Sequence, residues 1–112
     1  MDCVFCKIIS GEISSKKVYE DEKILAFHDL DSKAPVHVLV IPKKHIVSVE
    51  KLSDCDQGLI GHVFLKIAII ARELGCNGGY RIVNNCGKLG GQTVNHLHFH
   101  ILGGRAMSWP PG

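Results

Sequence analysis

Histidine occupies every second position of His96-Leu97-His98-Phe99-His100, and apolar residues fill the places between and beyond, through Ile101. A period of two is the period of a β-strand, whose side chains point to opposite faces in turn. The segment therefore predicts a strand with three imidazoles on one face. Leu97, Phe99 and Ile101 form the other face and require a core to pack against. Three histidines in a row on one side supply titratable, nucleophilic, metal-capable nitrogens.

Strand spacing limits their joint use. Side chains two apart lie about 6.7 Å apart along a strand, and those four apart about 13 Å. Two nitrogens on one tetrahedral zinc are only about 3.4 Å apart. His96 and His98 can converge on one ion, whereas His96 and His100 on a regular strand cannot, so the three must divide labour. Upstream lies Gly87-Lys88-Leu89-Gly90-Gly91-Gln92-Thr93. A glycine-rich turn lets backbone N–H groups approach an anion closely. Imidazole nucleophiles beside such a turn point to phosphorus chemistry.

The run Gly91-Gln92-Thr93-Val94-Asn95-His96-Leu97-His98-Phe99-His100 resembles the signature of the histidine triad (HIT) superfamily. The ending Leu102-Gly103-Gly104-Arg105-Ala106-Met107-Ser108-Trp109-Pro110-Pro111-Gly112 resembles that of its Hint branch, the nucleoside phosphoramidases. Further blocks agree in order: Phe5-Cys6-Lys7-Ile8-Ile9, Leu25-Ala26-Phe27-His28-Asp29 and Val40-Ile41-Pro42-Lys43-Lys44-His45. The resemblance covers essentially the whole chain.

Length and composition agree with one domain spanning residues 1–112 and a cytoplasmic location. A hydrophobic content of 46% is ample for a core. Thirteen basic against eleven acidic residues, net +2, is too balanced to point to nucleic acid or a membrane surface. No apolar run approaches the ~20 residues of a membrane span, and the N-terminus lacks the pattern of a signal peptide. Five cysteines, an odd number, read as thiols or metal ligands rather than a disulfide framework.

Along the chain, Cys3 to Ser10 reads as a short helix closed by Gly11. Lys17 to Glu20, Ile24 to Asp29 and Val36 to Ile41 read as strands, the last with His37, Leu39 and Ile41 on one face. Leu59, Ile60, Val63, Phe64, Ile67, Ile70, Ala71 and Leu74 recur at helical spacing, predicting a helix from about Asp54 to Leu74. Ser53 is its expected N-cap and Gly75 its stop. Tyr80 to Asn84 and Asn95 to Leu102 complete the strands, joined as a hairpin. Five strands and one long helix make an α+β antiparallel meander. The resemblance implies the same fold, and a homodimer whose two sheets join edge to edge.

It also implies roles for individual residues. His98, the middle of the triad, matches the position that forms a nucleotidyl-histidine; its alternative is a metal ligand. His100 matches a donor to the phosphate, and Thr93 a hydroxyl near the leaving group, where relatives commonly carry Ser. His37 matches a position facing the α-phosphate; on the residues alone it reads equally as a buried core histidine. Asp29 matches the ribose position, where a carboxylate accepts from both sugar hydroxyls. Phe5, Ile8, Phe27, His28 and Leu30 map to the nucleobase pocket, although Phe5, Ile8 and Phe27 look like ordinary core. Asn85, Gly91, Gln92, Val94 and Trp109 complete the implied nucleotide contacts, Trp109 as part of an arm that reaches the partner subunit's site.

Cys3 and Cys6 form a Cys-x-x-Cys, half of a typical zinc site. In bacterial HIT proteins with this motif the set is completed by positions matching His45 and His96. Such a site would be structural and would remove His96 from catalysis. The alternative is a pair of thiols. Cys55, Cys76 and Cys86 lack ligand spacing.

The resulting expectation is hydrolysis of the P–N bond of purine nucleoside 5′-phosphoramidates, without a redox cofactor. Dinucleoside polyphosphate hydrolysis, nucleotidyl transfer, a non-catalytic nucleotide-binding or interaction module, and a zinc redox or storage protein are the rivals.

Overall fold

The computed structural model describes residues 3–112. Helix α1 (Val4–Ser10) leads to strands β1 (Lys17–Glu20), β2 (Ile24–His28) and β3 (Val36–Pro42). Helix α2 (Gln57–Glu73) follows, and strands β4 (Arg81–Val83) and β5 (Phe99–Gly103) close the chain. All strand pairs are antiparallel, in the order β1-β2-β3-β5-β4. The meander holds through β1-β2-β3. The last hairpin is turned over, so that β5 rather than β4 pairs with β3.

Near-continuous apolar runs in β2 and β3 explain the layering. Ile24, Ala26, Val38, Val40, Leu97, Phe99 and Ile101 point to one face and pack against Val63, Ile67, Ile70 and Ala71 of α2. Leu25, Phe27, Leu39 and Ile41 point to the other and are covered by Phe5 and Ile8 of α1. A sheet with both faces covered requires side chains that are apolar at successive positions. Helix α1 ends where Gly11 adopts φ 88°, a conformation glycine accepts without strain.

The triad strand is shorter than its alternation predicts. β5 begins at Phe99, not Asn95, and β4 is limited to Arg81–Val83 instead of Tyr80 to Asn84. The cause lies in the partner strand. The β3–β5 register, Val40 opposite Phe99 and Val38 opposite Ile101, would place Pro42 opposite Leu97. Proline has no N–H to continue the ladder. The Leu97 N–H turns instead to the Ile46 carbonyl at 2.6 Å. Helix α2 also starts later than its apolar stripe suggests: Asp54–Asp56 form a 3₁₀ turn for which Ser53 is the N-cap. The Asp56 carboxylate accepts from the Ser53 N–H at 3.0 Å and pairs with Lys44 at 2.7 Å, which pins that turn.

Candidate functional site

Alternation survives the loss of regular strand. Leu97, Phe99 and Ile101 enter the α2-side core, while His96, His98 and His100 face the α1 side. His98 and His100 lie ring to ring, with centroids 5.2 Å apart. Phe5 meets both His96 and His98 edge-on, at 5.9 and 5.2 Å. The first turn of α1 therefore forms a wall behind the triad. The three histidines then part into two groups.

His96 joins Cys3, Cys6 and His45. One ligand-type atom from each lies within 4.8 Å of all the others. His96 Nδ1 is 3.3 Å from Cys3 Sγ, 3.6 Å from Cys6 Sγ and 3.1 Å from His45 Nδ1, and Cys6 Sγ is 3.3 Å from His45 Nδ1. These spacings match the ~3.4 Å expected between nitrogens on one tetrahedral ion. The chemistry of the donors fits as well. His96 Nε2 lies 2.8 Å from the Pro42 carbonyl, which can only accept. The hydrogen of His96 is therefore on Nε2, and its Nδ1 lone pair faces the cysteines, the arrangement that orients a ligating imidazole. Burial, and the Cys3 thiol beside it, push the Cys6 thiol above its ordinary range. Two adjacent thiolates need a cation to coexist. The four residues come from the start of α1, the segment after β3 and the approach to β5, so an ion here would tie three separate stretches together.

His98 and His100 join His37 and Asp29. His98 Nδ1 lies 2.7 Å from the His96 carbonyl. That nitrogen must donate, which leaves the His98 Nε2 lone pair free to act as a nucleophile. The Asn84 amide donates to the His98 carbonyl at 2.9 Å, bracing the same segment. Sequence reasoning missed Asn84, whose only signal was a polar pair after a short strand. His37 Nε2 lies 2.9 Å from His100 Nδ1 and 3.3 Å from Asp29 Oδ2. His37 is buried, with its pKa lowered by burial against the opposing pull of Asp29. Burial, aided by His98 and His37, pushes the His100 pKa down to about 4. His100 is thus neutral at neutral pH, and its Nε2 is buried with no hydrogen-bond partner among the described residues.

The remaining positions separate by environment. Phe5, Ile8 and Phe27 are buried core. Phe5 and Phe27 make an edge-to-face pair at 5.7 Å. His28, the last residue of β2, and Leu30 just beyond it are exposed, Leu30 at 92%. The glycine-rich turn is a filled nest. The N–H groups of Gly90, Gly91 and Gln92 bond to carbonyls within the loop, and that of Gly87 to Gln92 Oε1. Gln92 Nε2 donates to the carbonyls of Val47 and Val94 at 2.7 and 3.0 Å, and Asn85 Nδ2 to that of Gly90 at 2.8 Å. Gln92 and Asn85 thus shape the loop. Among the described residues, the amides of Thr93, Val94 and Asn95 just after the turn have no protein partner, and neither do those of Lys88 and Leu89 within it. Thr93 and Val94 line an open cavity of about 500 Å³ with Cys3, Val4, His45, Val47 and Asn95. Trp109 is 81% exposed and stacks on Arg81 at 5.9 Å, while the Arg81 guanidinium donates to the Ser108 carbonyl at 2.7 Å. In the single chain this arm lies against the β4 edge.

Comparison with known proteins agrees with the geometry. The HIT domain model matches residues 10–107. An uncharacterized HIT-like protein of Synechococcus elongatus is 50% identical over 111 residues, covering 99% of this chain and 97% of the relative. The crystal structure of a HIT family hydrolase from Legionella pneumophila superposes with a TM-score of 0.97 at 46% identity, covering 99% of this chain and 100% of that one. A histidine triad nucleotide-binding protein from Candida albicans superposes with a TM-score of 0.83 at 31% identity, covering 97% and 83%.

Proposed function

The chain belongs to the HIT family, and from that premise we propose that it is a nucleotide-binding hydrolase that cleaves the P–N bond of purine nucleoside 5′-phosphoramidates. The observation that carries the reading is the pair of neighbouring imidazoles with complementary ring nitrogens. His98 presents an Nε2 lone pair, and His100 presents a buried Nε2 with no partner among the described residues. One attacks phosphorus and the other steadies its oxygen.

In the first step His98 Nε2 bonds to the α-phosphorus as the P–N bond breaks, and the amine leaves with a proton that the Thr93 hydroxyl donates and regains from solvent. In the second, water attacks phosphorus and gives its proton back to solvent through the same hydroxyl, the P–Nε2 bond breaks and the nucleoside monophosphate is released. Splitting the displacement this way is covalent catalysis. Phosphorylated His98 is cationic, and the His96 carbonyl at 2.7 Å is already placed to stabilise its Nδ1–H. Asp29 Oδ2 accepts from the ribose hydroxyls, and His37 supports His100. Phe5, Ile8 and Phe27 back the base, with His28 and Leu30 at the rim. The amides around Thr93 and Val94, beside Gly91, Gln92 and Asn85, receive the phosphate.

Zinc fits Cys3, Cys6, His45 and His96, where it supplies cross-linking rather than chemistry. Two chains joined by their sheet edges complete the assembly. The open apolar side chains Leu65 and Ile69 of α2 and Ile82 of β4 support this arrangement. No helix among the described residues is long and apolar enough to cross a membrane.

Turnover of adenosine and guanosine 5′-phosphoramidates, with elemental analysis of the same sample, tests the reading. Release of nucleoside monophosphate with a nucleotide trapped on a histidine supports it. Nucleotide binding without turnover would leave a non-catalytic module.

A further inference from the structure

Hydrogen bonds around His98 and His100 also fix which ring nitrogens carry hydrogen, beginning with a backbone amide outside the triad. The Lys33 backbone N–H points at His37 Nδ1 from 3.0 Å. An amide nitrogen only donates, so His37 Nδ1 accepts and carries no hydrogen. The hydrogen of the neutral ring is then on Nε2, which faces His100 Nδ1 at 2.9 Å and Asp29 Oδ2 at 3.3 Å. With an N–H on one side of the 2.9 Å contact, His100 Nδ1 must be the bare acceptor. The hydrogen of neutral His100 is therefore on Nε2, the buried atom with no partner among the described residues.

We propose that the backbone amide of Lys33 is a positioning group that sets the tautomer of His100 through His37, and so fixes His100 Nε2 as a hydrogen-bond donor to the substrate phosphate. The consequence for catalysis rests on the reaction proposed above; the tautomer assignment does not. Burial supports the assignment by keeping both rings neutral. The loop holding the amide is braced. The Asp31 N–H donates to Asp29 Oδ1 at 2.8 Å, the Ser32 hydroxyl to the Ala34 carbonyl at 2.6 Å, and the Arg105 guanidinium to the Lys33 carbonyl at 3.1 Å.

Asp29, His37 and His100 also bring ligand-type atoms within 4.8 Å of one another. A metal on His37 Nε2 would move the ring hydrogen to Nδ1, where it would meet the Lys33 N–H head-on. The backbone amide thus reserves this cluster for anions and leaves metal to the cysteine cluster.

Nitrogen-15 spectra of the histidine rings, recorded near pH 7.5 where neutral imidazole dominates, read the tautomers directly. Both His37 and His100 are expected as Nε2–H. Lys33→Pro removes the N–H, and should shift the His37 ring resonances and, with them, those of His100. It should lower kcat for adenosine phosphoramidate about tenfold, the effect of one lost hydrogen bond, with KM changed less than about twofold. Lys33→Ala, which keeps the amide while removing the side-chain charge near His37 and its ion pair to Asp31, should retain the wild-type tautomers. Hydrogen on Nδ1 of either ring in the wild-type protein overturns the proposal, whether or not the proline variant folds. Unchanged ring resonances in a folded Lys33→Pro protein overturn it too. Nε2–H on both rings in a protein that turns over no phosphoramidate refutes the reaction and leaves the tautomer assignment standing.

Discussion

His96 and His98 stand two residues apart, face the same way, and hold their hydrogens on opposite nitrogens. His96 gives its Nε2–H to the Pro42 carbonyl and turns its Nδ1 lone pair to two cysteines and a histidine. His98 gives its Nδ1–H to the His96 carbonyl, which leaves the lone pair on Nε2. Residue type does not distinguish the cluster proposed to hold metal from the cluster proposed to carry the reaction. The backbone atom that engages the other ring nitrogen does. The surroundings then reinforce the choice: paired thiols raise the demand for a cation on one side, and buried neutral imidazoles keep the other side ready for an anion.

If that division is correct, removing the nucleophile should be the most damaging change to activity and nearly silent for stability of the metal cluster. His98→Ala is expected to lower phosphoramidate turnover by at least about 10³-fold, roughly 4 kcal/mol of barrier. Nucleotide binding and metal content should remain. A variant retaining turnover within about tenfold, 1.4 kcal/mol, would break the comparison by showing that His98 is not where the covalent bond forms.

The converse experiment disables the other cluster. Cys3→Ser with Cys6→Ser should eliminate stoichiometric metal, because serine is a poor substitute for thiolate. An ion bound at about 100 to 1,000 times its Kd contributes about 3–4 kcal/mol, so the melting temperature should fall by roughly 10–20 °C. Turnover at low temperature should change only a few-fold. Wild-type protein purified reduced and without chelator, yet lacking metal, would remove Cys3, Cys6, His45 and His96 from this assignment.

A smaller effect separates the clusters by pH. His100 has a folded pKa of about 4 against about 6.5 for an unfolded histidine. Its folded value is depressed, so the unfolded chain binds the proton first. Its contribution to stability is fully present above pH 6.5 and is lost as pH falls towards 4. Partial exposure reduces the effect to about 1–2 kcal/mol. Denaturant titrations of the double cysteine variant, with and without His100→Gln, isolate it from acid release of metal. Equal losses of stability between pH 6.5 and 4.5 in the two proteins would place the acid sensitivity elsewhere.

Much of this arrangement was legible in the sequence, for reasons that also explain the gaps. The alternation of His96 to His100 with Leu97 to Ile101 states which side chains share a face, and that survives even where the strand does not. The apolar stripe of α2 and the runs in β2 and β3 specify packing directly. Spacing along a strand already forbade one metal for His96 and His100. Pro42 opposite Leu97, the turned-over β4–β5 hairpin and the filled glycine nest are facts of pairing between distant segments. No local pattern encodes them. Lys33 and Asn84 were invisible for a further reason: Lys33 acts through its backbone, which every residue possesses, and Asn84 acts on a backbone carbonyl.

The C-terminal arm belongs to neither cluster and should give the smallest effect. Arg81 anchors it twice, through the Ser108 carbonyl and the Trp109 ring. Yet Trp109 remains 81% exposed, so the arm contributes little to the core. A large aromatic held in place but left open is suited to contact with something outside its own chain. If that is the leaving-group side of the partner subunit's reaction cluster, deleting Ser108 to Gly112 should preserve dimerisation, nucleoside monophosphate binding and metal content. It should reorder substrates that differ only in their amine, by less than about tenfold in kcat/KM because one exposed contact is lost. Arg81→Ala, which keeps Trp109 and frees the arm, should shift the ranking in the same direction by a smaller amount. Identical rankings for the full-length and shortened proteins would confine specificity to the residues around Thr93 and leave the arm no part in choosing the amine.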